Sequence, residues 1–151
     1  MQKITPFLWF DNNAQEAVEF YTSVFKNARL DSTMPGPDGK VMGASFQLEG
    51  LSFMALNGGP QFQFTPAISL YVNCESQDEV DYYWSRLGDG GSFQPCGWLR
   101  DRFGVSWQII PTALSRMLQD KDRARAGRAM QAMMKMSKID IAALQAAYEG
   151  V

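Results

Sequence analysis

The chain has 151 residues, 46% of them hydrophobic and 13% aromatic, with a formal charge of −2, a length and composition that suit one globular domain able to bury a sizeable core. The near balance of charge, at a pI near 5.1, offers no footing for a polyanion, so nucleic acid is not an expected partner. Histidine is absent, which removes Ser/His/Asp triads, Cys/His dyads and every imidazole-containing zinc or iron site.

The opening "MQKITPFLWFDNN" lacks the basic, apolar and small-residue regions of a signal peptide, and no run of ~18 apolar residues follows. A cytoplasmic protein with no membrane partner is therefore expected. From Pro6, "PFLWF" reads as a short apolar strand. Asn13 with Glu16 three positions later marks a helix start, and Ala17, Phe20, Tyr21 and Val24 hold helical spacing. Lys26 and Asn27 suit its end. "RLDSTMPGPDGKVMGASFQLEG" alternates turn residues with strand-formers, and "GLSFMAL", Gly50 to Leu56, closes the segment as a strand. Gly and Pro make residues 58–65 a linker, whose Phe62 and Phe64 suit packing or a flap over a groove.

The pattern then repeats. Setting "PFLWFDNNAQEAVEFYTSVF" over "SLYVNCESQDEVDYYWSRL" aligns Asn13 with Ser76, Glu16 with Glu79, Ala17 with Val80, Phe20 with Tyr83, Tyr21 with Trp84 and Val24 with Leu87. "GVSWQII", Gly104 to Ile110, matches "GLSFMAL" and carries Met54 onto Gln108. The organisation is strand, helix and three strands, twice: modules 1–57 and 66–111 joined by the linker 58–65, giving a duplicated domain over 1–111. "LGDGG", Leu87 to Gly91, follows a helix, whereas a cofactor-binding glycine loop follows a strand and opens a helix, so it reads as a turn. Residues 112–151 are Ala-, Met- and charge-rich and read as a C-terminal helical extension, with Ser137 and Asp140 spaced as a capping box. Met130, Met133, Met134 and Met136 suit packing, and Arg123, Arg125 and Arg128 a solvated face. Cys74 and Cys96, the only two cysteines, are expected as reduced, structural thiols on strands.

The duplicated βαβββ pattern, the opening "ITPFLWFDNNAQEAVEFYTSVF" and the ending "DRFGVSWQIIP" resemble the vicinal oxygen chelate superfamily, and within it the PhnB-like group, sometimes labelled as a 3-demethylubiquinone methyltransferase domain. The likeness reads across the whole chain, tail included. It implies an α+β fold of two glyoxalase-like half-barrel modules, a homodimer, and a metal on the concave face bound from the first and last strands. The family's last strand ends Asp-Pro-x-Gly-Asn-x-x-Glu; here Asp101 and Gly104 are kept and Gln108 stands in place of the ligand Glu. With Met54 at the repeated position, and Thr5 and Ile68 or Ser69 on the opening strands, the set is poor for a hard divalent ion and for zinc or iron. No metal and no cofactor are therefore expected.

If Gln108 faces the groove, alternation sends Ser106 the same way and Trp107 and Ile109 toward the helices. Cys96, Trp98 and Arg100 share one face of the neighbouring strand, with Asp101 capping the turn before Gly104. A reactive Cys96 would need a thiolate favoured by Arg100 or Arg102. Trp9 and Trp98 suit either core packing or a pocket wall. The candidate ligand-binding residues are thus Trp9, Cys96, Trp98, Arg100 and Gln108, with no catalytic residue assigned. The expected function is metal-free binding of a small molecule in the groove. The alternative is a metal-dependent lyase, isomerase or dioxygenase of the same superfamily.

Overall fold

The structure, a computed structural model, describes residues 2–151 and divides into two compact units that part between Phe64 and Thr65. In the first, β1 (Phe7–Phe10) leads into α1 (Ala14–Val24), followed by β2 (Ala28–Pro35), β3 (Val41–Leu48) and β4 (Leu51–Asn57). The sheet order is β1-β4-β3-β2, with β1 parallel to β4 and the other pairs antiparallel. Because side chains alternate along a strand, the sheet has two unlike faces. Leu8, Phe10, Phe46, Phe53 and Ala55 are buried with Ala17, Val18, Tyr21 and Val24 of α1, the Phe46 ring stacking on both Tyr21 and Phe53. Phe7, Trp9, Met54 and Leu56 occupy the alternate positions of their strands and turn to the face opposite α1.

The second unit repeats this plan with β5 (Ser69–Cys74), α2 (Gln77–Gly88), β6 (Ser92–Phe93), β7 (Trp98–Arg100) and β8 (Ser106–Pro111), in the order β5-β8-β7-β6. Both βαβββ modules of the expected α+β fold are present. Leu99, Trp107 and Ile109 are buried on the α2 side, where Val80, Trp84 and Leu87 complete the core. The "LGDGG" stretch ends α2 and turns into β6, as its position after a helix predicts.

The two modules start their helices by different means. Ser76 Oγ accepts the Glu79 N–H at 3.2 Å, and Glu79 Oε1 accepts from the Glu75 N–H at 3.3 Å, so α2 has the cap its sequence announces. Asn13 makes no such bond. Instead Asn57, from the end of β4, accepts the Ala14 N–H at 2.8 Å and donates to the Val41 carbonyl at 3.1 Å. The opening strands also differ in step. Phe7 pairs with Met54 and Tyr71 with Gln108, which makes Phe7 and Tyr71 equivalent, whereas alignment outward from the helices sets Phe7 over Leu70. Asp11 and Asn12 precede the first helix start and Glu75 alone precedes the second.

The linker packs on the first unit. Phe64 meets Phe10 edge-on and Phe62 meets Trp9 edge-on, each at 5.1 Å. Phe62 keeps 57% of its surface exposed and Phe64 is half-buried, so packing holds further for Phe64 than for Phe62.

After β8 the chain forms α3 (Thr112–Leu118), α4 (Arg123–Met134) and α5 (Ile141–Glu149), which belong to the second unit. Ile110, Leu114, Met117, Ala129, Ile139 and Leu144 make one buried cluster, with Met133 and Met136 packed at its edge. Met130 and Met134 are exposed instead. Asp140 alone caps α5, accepting the Ala143 N–H at 3.1 Å, in place of the expected Ser137 box. The arginines are not merely solvated. Arg128 donates to the Ala147 and Tyr148 carbonyls, Arg125 lies 4.2 Å from the Tyr148 ring centre, and Arg123 donates to Leu118 and Asp120 carbonyls. Each of these helices is too short to persist in water alone, so the arginines and the shared cluster hold the tail together. Among the described residues no helix is long and apolar enough to cross a membrane.

Two outcomes test this account of the tail. Leu144→Ala should lower unfolding stability by about 2–5 kcal/mol in a denaturant titration, the range for opening a cavity at a buried leucine. Deleting residues 113–151 should expose Ile110 and yield aggregation or loss of a cooperative melt; a truncated chain that melts cooperatively at an unchanged temperature would refute the account.

Candidate functional site

The face of the second sheet that turns away from α2 carries two rows of side chains. Tyr71 on β5, Gln108 on β8 and Trp98 on β7 are direct cross-strand neighbours, and Ser69, Ser106 and Arg100 form the next row. Gln108 donates one of its two amide N–H groups to Ser69 Oγ at 3.0 Å, and its amide oxygen accepts no hydrogen bond among the described residues. Tyr71 is 46% exposed and its hydroxyl lies 3.2 Å from Ser115 Oγ of α3. Gln108 and Trp98 are half-buried, Arg100 is exposed, and Ser106 is buried as the floor between its neighbours.

Strand alternation thus places Trp98, Arg100 and Gln108 together on one face, as the sequence suggests, with Trp107 and Ile109 on the other. Cys96 does not share that arrangement. It lies before β7 in a single 3-10 turn, Pro95–Gly97, at a left-handed φ of 65°, so strand alternation does not reach it. The cause is the tail: the Cys96 and Gly97 N–H groups donate to the Met136 and Ser137 carbonyls at 2.8 Å, and pairing with that segment requires the turn. Cys74 is on a strand as expected, buried on the α2 side, and burial pushes its thiol up to about 12, with Glu79 and Glu75 adding to the rise. Such a thiol is inert at neutral pH.

Trp9 stands on the first unit's sheet, where its indole N–H donates to the Gly59 carbonyl at 3.0 Å. Gly58 lies flat against its ring: a Cβ there would come within 2.3 Å of it. The same face holds a cavity of about 80 Å³ lined by Phe7, Met34, Met54 and Leu56, beside the Ser32 and Ser45 hydroxyls, which are bonded to each other at 2.7 Å. This face is apolar where the corresponding face of the second unit is polar. Tyr71 is the residue that sequence reasoning missed. Part of its signal was present in "SLYVNC", where alternation sets Tyr71 on the same face as Ser69, and the β5–β8 register supplies the rest by bringing it beside Gln108.

Asp101 fixes the turn between β7 and β8. It is 3% exposed. Its Oδ1 accepts the Phe103 and Val105 N–H groups at 2.8 and 3.0 Å, and its Oδ2 accepts the Trp107 indole N–H at 2.8 Å. Three donors offset the cost of burying the carboxylate. The turn also needs Gly104, at a φ of 93°. The expected turn role is what the geometry shows.

With this geometry in place, the chain can be set beside known proteins. Residues 2–110 match the family described as 3-demethylubiquinone-9 3-methyltransferase. Among solved structures, a PhnB protein from Bacillus cereus is 38% identical over 73% of this chain and 99% of that one, with a TM-score of 0.68. A protein from Pseudomonas aeruginosa is 25% identical over 74% and 98%, with a TM-score of 0.63. The fosfomycin resistance protein FosX from Listeria monocytogenes, solved with Mn(II) and sulfate, is 18% identical over 71% and 90%, with a TM-score of 0.53, and shares the fold. No curated protein matches the chain. The family match stops at residue 110, so the likeness does not extend over the tail, contrary to expectation.

A metal of the kind that the superfamily resemblance implies does not fit the residues present. Gln108 offers one neutral amide oxygen, and its counterpart in the first module is the Met54 thioether. A thioether does not suit a hard ion and one neutral oxygen is too few to hold it, and among the described residues no three His, Cys, Asp or Glu side chains stand close enough to bind one.

Asp101→Ala should cost about 3–5 kcal/mol in denaturant unfolding, because the Trp107 indole and two backbone N–H groups would lose a buried charged acceptor. Asp101→Asn should cost less and shift the Trp107 indole proton resonance upfield, since an amide can turn only one oxygen toward the three donors. An Asp101→Ala protein as stable as wild type would show that the turn holds without the carboxylate.

Proposed function

The chain belongs to the 3-demethylubiquinone-9 3-methyltransferase family, and we propose that it serves there as a metal-free binding protein for a small molecule held on the open face of the second sheet. The observation that carries this reading is the row Tyr71, Gln108 and Trp98, two aromatic side chains flanking one amide on adjacent strands. Aromatic faces supply apolar area at roughly 25 cal/mol per Å² removed from water, and a fixed amide orients a polar group, the combination that small-molecule sites use. Nothing on this face resembles an acid–base pair, and the donors do not favour an ion.

The family description names a methyl transfer, but the glycine-rich turn from Asp89 to Gly91 leads from a helix into a strand. That is the reverse of the strand–loop–helix order in which a glycine-rich loop receives a nucleotide-containing cofactor. We propose further, from the superfamily resemblance, that the chain works as a homodimer in the cytoplasm, without nucleic acid or membrane as partner.

Screening a compound library by tryptophan fluorescence should yield ligands whose binding perturbs the amide resonances of β5, β7 and β8. Trp98→Ala should weaken such a ligand by about 1–3 kcal/mol, the scale of losing much of one buried side chain. Equal affinities in a folded variant would move the site elsewhere. Protein purified without an affinity tag should carry no stoichiometric Zn, Ni, Fe or Mn; near one metal per chain, removable by chelator with loss of ligand binding, would overturn the metal-free reading. Light scattering should give twice the mass of one chain.

A further inference from the structure

We infer that the ligand class of this face is a planar aromatic carboxylate bearing a hydrogen-bond donor on its ring, an assignment that rests on the binding reading above and adds the chemistry of the ligand. Three observations converge on it. The first is spacing. Tyr71 and Trp98 stand on the strands either side of β8, each about 4.8 Å from it. A ring inserted over Gln108 would lie about 5 Å from both, inside the range at which aromatic pairs attract.

The second is the state of the amide. Gln108 gives one of its two amide N–H groups to Ser69, and its amide oxygen accepts no hydrogen bond among the described residues, so a donor such as a phenol or an amine finds an open acceptor here. Ser69 bears on the site without touching the ring: its bond to the amide nitrogen holds that end of Gln108 and leaves the oxygen open.

The third is charge. Arg100 lies two residues along β7 from Trp98 on the same face, about 7 Å away, a distance that an arginine side chain spans. Arg102 is neutralised by Asp89 at 3.0 Å, but Arg100 makes no ion pair among the described residues. No acidic residue occupies the open-face positions Ser69, Tyr71, Asn73, Trp98, Ser106 and Gln108. An unpaired guanidinium beside an aromatic-flanked slot is complementary to one carboxylate, which it can meet through two parallel N–H groups. Arg100 also borders a cleft of about 350 Å³ with Gly90 and Ser92, so a substituent next to the carboxylate has room.

The test uses the full-length protein and two probes, 4-hydroxybenzoate and its neutral counterpart 4-hydroxybenzamide, titrated by calorimetry with amide resonances followed in parallel. The acid should bind about tenfold or more tightly than the amide, the scale of a charge-assisted hydrogen bond. Arg100→Leu should weaken the acid far more than the amide and so remove most of the difference between them, and Arg100→Lys should recover part of it. Tyr71→Ala should weaken both probes. Equal affinity of acid and amide, insensitive to Arg100→Leu but lowered by Tyr71→Ala, would overturn the ligand class while the face stayed a binding surface. Failure of both probes to perturb β5, β7 or β8 at millimolar concentration would also overturn the class; the library screen would then decide on its own whether the face binds anything.

Discussion

A single buried carboxylate governs the second module. Asp101 gathers the Phe103 and Val105 N–H groups and the Trp107 indole around one side chain, and so fixes how β7 turns back into β8. Register in a two-faced sheet is an all-or-none property, because a slip of one residue sends every side chain to the other face. With the turn held, Leu99, Trp107 and Ile109 reach the core, and Trp98, Arg100 and Gln108 face away from it. The side chains at the candidate site owe their common face to a residue that is not part of it. The bond from Asp101 to Trp107 adds a check from the core side, since the indole can reach the carboxylate only when its strand has the right face inward.

Duplication has produced two sheets with one plan and two chemistries. Phe7, Met54 and Ser45 sit in the first where Tyr71, Gln108 and Trp98 sit in the second. The first set encloses a small apolar cavity. The second offers hydroxyl, amide and indole groups with a free-standing guanidinium nearby. A metal site built symmetrically from both modules needs hard ligands at matching positions, and here a thioether answers an amide. Divergence of the open faces, with the core faces kept apolar, is the pattern expected when packing constrains one side of a sheet and a ligand the other.

What could be read in the sequence follows from how local each signal is. The repeated helices were legible because their apolar spacing lies within one element, and the facing of Gln108 and Trp107 followed from alternation along one strand. The cap of α1 was not legible: Asn57 reaches Ala14 from across the module, and no local pattern encodes that bond. Cys96 failed for a related reason. Its neighbours read as a strand, but the Met136 and Ser137 carbonyls draw its backbone into a turn, and that partner segment lies far along the chain. Tyr71 needed both alternation and the β5–β8 register, and only the first was in hand.

The tail follows from the same reasoning about what a sheet leaves uncovered. The family match ends at residue 110, where Ile110 would stand bare at the end of β8 and the Cys96 and Gly97 N–H groups would need other acceptors. The helices beyond supply both, burying Ile110 with Leu114, Ile139 and Leu144 and placing two carbonyls on those donors. Gln77, at the start of α2, donates to the Ile139 carbonyl and accepts the Ile141 N–H, so the tail is tied to the module by backbone as well as by packing. Its first helix then touches the open face, where Ser115 meets the Tyr71 hydroxyl. A ring standing 46% exposed on a sheet would otherwise be free to change rotamer, and this contact gives it one preferred orientation. An extension outside the matched region thereby sets the position of a side chain within it.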